Sequence, residues 1–238
     1  MSKIKICGLS RAEDIDVVNC VMPDYIGFVF ARSRRQVSIQ KAAELKERLD
    51  LCIIAVGVFV DEDVRAVAGA YRKGIVDVVQ LHGSENDDYI RKLKDSCGCT
   101  VIKAVGIGGA VPGNLPVQAD YLLFDTLTQP KKPPTIALNP VQASEVRNPA
   151  ASPAQEKSNM NPSQSPAFGG VGKAFDWNLL KNYCGQKYFL AGGLHQGNVR
   201  DAIELLSPYC VDVSSGVETC GVKDGDKIEN FVRTVRKC

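Results

Sequence analysis

Asp125 closes the apolar run Tyr121-Leu122-Leu123-Phe124 with a carboxylate, and no helical pattern follows for it to cap. A carboxyl held away from water there keeps a raised pKa and can serve as a general acid. Cys7 ends Lys5-Ile6-Cys7 just before Gly8. Taken by itself it reads as a packing residue, as small free cysteines usually are. The cluster Arg32-Ser33-Arg34-Arg35 is either a solvated loop or an anion clamp, because arginine grips a carboxylate with two bonds. Two short turns, Ala191-Gly192-Gly193 and Val213-Ser214-Ser215-Gly216, can offer backbone N–H groups and helix N-terminal charge to a phosphate. His82 ends Val79-Gln80-Leu81-His82 and reads as a pocket-lining residue. The chain has one other histidine, His195, so a histidine-rich metal site is not expected.

These residues need elements that bring them to one place. Eight short apolar runs recur: Lys3–Cys7, Tyr25–Phe30, Cys52–Val60, Val76–His82, Thr100–Val105, Tyr121–Asp125, Lys187–Ala191 and Cys210–Ser214. Continuous rather than alternating apolar strands suit a parallel sheet covered on both faces. Helical stripes lie between them, such as Val64, Val67, Ala68 and Tyr71, then Val199, Ala202, Ile203 and Leu206, then Ile228, Phe231, Val232 and Val235. Ser10 with Glu13 and Ser84 with Asp87 read as capping boxes, and Asp61 as a cap for the third helix. The fifth unit is weak, with Gly106 to Pro116 rich in glycine and proline. Eight strands and their helices predict an α/β fold, one (β/α)₈ TIM barrel spanning residues 1–238. The C-terminal strand ends of that barrel carry Cys7, the Arg32–Arg35 loop, Asp61, His82, Asp125 and both glycine-rich turns, and the last two strands carry the usual phosphate site.

One interval is too long. Residues 127–168 hold eight of the twelve prolines, with Asn, Gln and Ser, and read as a low-complexity, disordered-looking insertion in the loop after strand six.

Composition removes other classes. The net charge of +2 is too balanced for a nucleic-acid partner, and no apolar run reaches the ~18 residues of a membrane span. The first residues carry no apolar signal stretch, so a cytoplasmic location is expected. Nine cysteines, an odd number, argue against a disulfide framework, and most are expected to be small buried hydrophobes.

The ordered motifs resemble the phosphoribosylanthranilate isomerase family. They are Lys5-Ile6-Cys7-Gly8-Leu9, Gly27-Phe28-Val29-Phe30, Arg32–Arg35 with Val37-Ser38, Val56-Gly57-Val58-Phe59-Val60, Val79-Gln80-Leu81-His82-Gly83 and Leu123-Phe124-Asp125-Thr126. Gly169–Lys173 leading to Phe175-Asp176-Trp177, Ala191-Gly192-Gly193-Leu194, Val211–Glu218 and Gly221-Val222-Lys223-Asp224 continue the series. The resemblance implies a catalytic cysteine at Cys7, a catalytic aspartate at Asp125 and an anthranilate-binding arginine at Arg35. It implies a substrate site completed by His82, Gly192, Gly193, Asp212, Ser214, Ser215 and Gly216. The implied reaction is an Amadori rearrangement of N-(5-phosphoribosyl)anthranilate in tryptophan biosynthesis, with no metal or cofactor because the substrate nitrogen is the electron sink. Asp125 would protonate the furanose oxygen, and Cys7 as thiolate would take the C2′ proton. Lys5 is not expected to hold that thiolate, since barrel-interior crowding would oppose it. The implied partner is a phosphosugar substrate, and the chain a monomer or homodimer. The insertion departs from the family, placing some forty residues between Asp125-Thr126 and Gly169. Two rival readings remain: another phosphosugar isomerase or epimerase on the same barrel, and a silent binding protein that uses 127–168 as an interaction segment.

Overall fold

A computed structural model describes residues 1–127 and 174–238. The expected insertion beyond Leu127, and the glycine-rich stretch Gly169–Lys173, lie outside the described residues.

Eight parallel strands close into a barrel in sequence order. They are β1 (Lys3–Cys7), β2 (Tyr25–Val29), β3 (Ile54–Phe59), β4 (Val78–Leu81), β5 (Val101–Ile107), β6 (Tyr121–Thr126), β7 (Tyr188–Leu190) and β8 (Cys210–Val213). The ring closes where β1 pairs with β8, Lys5 lying opposite Asp212. Most strands stop a residue or two inside the bounds read from the sequence, because apolar residues continue into the connecting loops. β5 runs the other way: it extends through Gly106 and Ile107, which pair with Asp125 and Thr126.

The helices are α1 (Ala12–Val21), α2 (Ile39–Glu47), α3 (Val64–Arg72), α4 (Asp87–Cys97), α5 (Val199–Leu206) and α6 (Gly225–Val235). Among the described residues no helix joins β5 to β6, and the unit before β7 has one 3₁₀ turn, Trp177–Leu180. Helix α6 shows why the apolar stripes work. Its Ile228, Phe231, Val232 and Val235 are buried, each contributing about 1.5–3 kcal/mol, while charged residues keep the outer face wet.

Three caps differ from expectation. The carboxylate of Asp14, not a serine hydroxyl, accepts the Ser10 and Arg11 N–H groups at the start of α1. Asp63 caps α3 by accepting from Arg65 N, whereas Asp61 takes a left-handed φ of 49° and accepts from Ser84. Asn86 caps α4 through Tyr89 N, which frees Asp87 to accept from Val117 and Gln118 in the loop after β5. In each case a closer carboxylate or amide has displaced the residue that matched the pattern.

Strand parity positions the site. Ile4 and Ile6 face the helices, so Lys5 and Cys7 face the barrel axis. The same alternation turns Val78, Gln80 and His82 inward on β4, Leu123 and Asp125 on β6, and Cys210, Asp212 and Ser214 on β8. Tyr25, Val56, Ile102, Leu123 and Phe189 fill the lower interior as a packed plug. All nine cysteines are free thiols, and five of them are exposed. The expectation of mostly buried cysteines therefore fails; Cys20, Cys52, Cys184, Cys220 and Cys238 sit on solvent-facing turns and helix surfaces.

Candidate active site

Above the plug, at the C-terminal strand ends, a cleft opens that is lined by Cys7, Asp125, His82 and Arg35 and by the turns at Gly192–Gly193 and Ser214–Ser215. Asp61 and Gly216 are not in its wall. Gly216 instead packs behind it, where a Cβ would lie 1.9 Å from Leu194 O. Its missing side chain lets the two glycine-rich turns touch.

Cys7 is buried at 8 % exposure, with its carbonyl accepting from Ser214 Oγ. Its sulfur occupies the space that a side chain on Gly27 would need, since a Cβ there would sit 2.7 Å from Cys7 Sγ. Burial pushes the Cys7 thiol above its ordinary value, and Asp212 adds to that; Lys5 and Lys223 work against it. Lys5 is fully buried and donates to Asp212 Oδ2 at 2.9 Å. Burial alone would lower its pKa, but Asp212 and then Cys7 outweigh it and hold the ammonium charged. Lys5 shares the interior face with Cys7, as strand alternation requires, and works against the burial of the thiol without overcoming it. Crowding does not expel Lys5 from the interior, because an aspartate on the neighbouring strand compensates its charge.

Asp125 lines the cleft from β6. Its Oδ1 accepts from Thr126 N at 2.7 Å, and its Oδ2 lies 3.5 Å from His82 Nε2. The side chain is 22 % exposed, open enough to meet a ligand. His82 is held in turn by Gln80, whose Nε2 lies 2.9 Å from Nδ1. A further pair steadies this loop: buried Lys103 donates to Gly83 O and to Glu85, which accepts from Gly83 N.

Arg35, 11 % exposed, also lines the cleft and is bound by Glu218. Gly192 and Gly193 both take positive φ, 83° and 66°, which only glycine adopts without strain. That turn leads through His195 and Asn198, whose side chains pin it, into α5. Asp212 lies on the floor of the cleft, its Oδ2 on Lys5 and its Oδ1 without a partner among the described residues. Every expected site residue except Gly216 therefore reaches one cleft. Two residues that sequence reasoning passed over, Gln80 and Lys223, belong to it or to its supports. The inward parity of β4 would have flagged Gln80. Among the described residues no cluster of three or more His, Cys, Asp or Glu could hold a metal ion, and no helix is long and apolar enough to cross a membrane.

A closed barrel with paired glycine-rich turns after strands seven and eight, and with a thiol, a carboxyl and an arginine lining one cleft, has the architecture of a phosphosugar-binding (β/α)₈ enzyme. The chain belongs to the N-(5'phosphoribosyl)anthranilate (PRA) isomerase family, whose model matches residues 4–129 and 140–234. An N-(5'-phosphoribosyl)anthranilate isomerase of Endomicrobium trichonymphae is 39 % identical over 236 residues, 99 % of each chain. A solved phosphoribosyl anthranilate isomerase in complex with reduced 1-(o-carboxyphenylamino)-1-deoxyribulose 5-phosphate is 27 % identical with a TM-score of 0.71, covering all of both chains. Monomers generated from the dimeric phosphoribosylanthranilate isomerase of Thermotoga maritima match at 28 % identity and a TM-score of 0.71, again over all of both chains.

Proposed function

We propose that Cys7 and Asp125 are the base and acid with which this chain isomerises N-(5-phosphoribosyl)anthranilate to 1-(2-carboxyphenylamino)-1-deoxyribulose 5-phosphate in tryptophan biosynthesis. The observation that supports this assignment is that both line one cleft together with Arg35 and the turns at Gly192–Gly193 and Ser214–Ser215. The substrate's phosphate is read by the N–H groups of Gly192–Gly193 and Ser214–Ser215, and its carboxylate by Arg35. Asp125 donates a proton to the furanose oxygen, the C1′–O bond breaks and the nitrogen lone pair forms the C1′ iminium. Cys7 takes the C2′ proton, and the electrons of that C–H bond move toward the iminium to give an enolamine. A proton added at C1′ with loss of the enol proton leaves the ketose. His82, fixed by Gln80, stands by Asp125 to stabilise the carboxylate that forms when it has donated. Asp212 supports the floor by holding Lys5, and Gly216 supports the phosphate turns from behind. Each acid–base step is worth on the order of 10²–10⁴-fold. No metal or cofactor enters this sequence. The chain acts as a cytoplasmic enzyme, a monomer or homodimer, without nucleic-acid or membrane partners.

The reaction run in deuterium oxide tests the proton inventory. The product is expected to carry deuterium at C1′. A product without it would rule out protonation of C1′ by protons that exchange with solvent.

A further inference from the structure

A small hairpin follows the last barrel strand. Its arms are β9 (Glu218–Thr219) and β10 (Val222–Lys223), joined by Cys220 and Gly221, both at positive φ, 51° and 82°. Two consecutive left-handed residues make the tight turn that matches strand twist. The register sets Glu218 opposite Lys223. The hairpin is tied down through Arg11 to Lys223 O and Lys227 to Glu218 O.

Glu218 is nearly sealed, with 4 % of its side chain exposed, and three cations converge on it. Arg35 donates from Nε to Oε1 at 2.6 Å and from Nη2 to Oε2 at 3.1 Å. Arg34 Nη2 adds a bond to Oε2 at 2.7 Å, and Lys223 Nζ one to Oε1 at 2.8 Å. A guanidinium has five N–H groups in a planar fork. Glu218 occupies the Nε–Nη2 edge. The second edge, Nη1 with the other Nη2 proton, has no partner among the described residues, and Arg35 lines the cleft. A lone carboxylate would cancel the charge of the arginine it holds. Here three cations surround one carboxylate, so the cluster stays two charges positive and still attracts an anion. The stem of Arg35 is also laid against Gly8, where a Cβ would meet Cδ at 2.4 Å.

We propose that Glu218 is the positioning residue for substrate recognition: it grips one edge of the Arg35 guanidinium so that the other edge meets the substrate's carboxylate as a ready-made two-bond fork. The proposal rests on the reading of Arg35 as the carboxylate clamp. Its hydrogen bonds from Arg35 and Lys223 overcome the effect of burial and keep the Glu218 carboxyl ionised, below its ordinary range. Loss of Glu218 returns rotamer freedom to Arg35, which substrate binding must then remove.

A double-mutant cycle on the full chain tests it, with kcat and KM for N-(5-phosphoribosyl)anthranilate measured in wild type, E218Q, R35A and the double variant. E218Q is expected to raise KM about tenfold in wild type, with a smaller change in kcat, as the loss of a charged hydrogen-bonding partner implies. In the R35A background the same substitution is expected to change KM less than about twofold, because there is no guanidinium left to orient. Equal KM effects in the two backgrounds, or an unchanged KM for E218Q, would overturn the proposal. An unchanged KM for R35A alone would overturn the reading of Arg35 itself. If E218Q does not fold, E218D keeps the charge, withdraws the carboxylate by one methylene and is held to the same comparison.

Discussion

Cys7 carries the strongest conflict in the molecule. Its proposed role requires a thiolate, and its buried position favours the thiol. Lys5 and Lys223 offset part of that cost, but burial outweighs them. In the proposed mechanism the substrate supplies the missing charge, because the iminium formed after ring opening acidifies the C2′ proton that Cys7 would take. The pH–rate profile reads this directly. The free enzyme's kcat/KM is expected to keep rising past pH 9.0, the thiol's ordinary value, while the kcat limb of the complex falls at lower pH. A kcat/KM plateau reached by pH 8 would contradict it. The linkage has the same sign: a thiol whose pKa is raised by folding stabilises the fold below its unfolded value and loses that contribution as pH climbs through the folded one.

At the scale of elements, strand parity does most of the positioning. Residues two apart on β1, β4, β6 and β8 deliver Cys7, His82, Asp125 and Ser214 to one axis, and that much was legible from the apolar runs and their ends. What supports them was not. The Lys5–Asp212 pair joins strands some two hundred residues apart in sequence, so no local pattern announces it. The hairpin holding Glu218 has arms of two residues, too short for any periodicity. The caps failed because Asp14, Asp63 and Asn86 outcompete the serines and the aspartate that fitted the spacing. Close approach between β1 and β2 gives a test at this level. G27A would force a Cβ to within 2.7 Å of Cys7 Sγ and 3.2 Å of Cys7 Cα. It is expected to lower kcat by about 10²-fold with little change in KM, since a displacement near 1 Å in a catalytic group costs that much. A KM effect without a kcat effect would show that the sulfur is not held by this contact.

For the whole molecule, the barrel separates stability from chemistry. The helices and outward strand residues form one continuous apolar layer, while the polar interior groups Lys5, Gln80 and Asp212 gather beneath the cleft. The fold class and the chemistry-bearing residues could be read from the sequence because each sits at a strand end, where an apolar run stops on a polar residue. Arg35's partner, and the reason Lys5 is tolerated inside, depend on distant charges that only the closed barrel brings together. The decisive measurement follows the loss of anthranilate-type fluorescence when freshly generated N-(5-phosphoribosyl)anthranilate meets wild type and C7S side by side. Rapid decay with wild type, and a kcat lower by about 10²-fold or more in C7S at similar KM, is the expected result. Equal decay with both would contradict the role of Cys7, and no decay with either would contradict the activity itself.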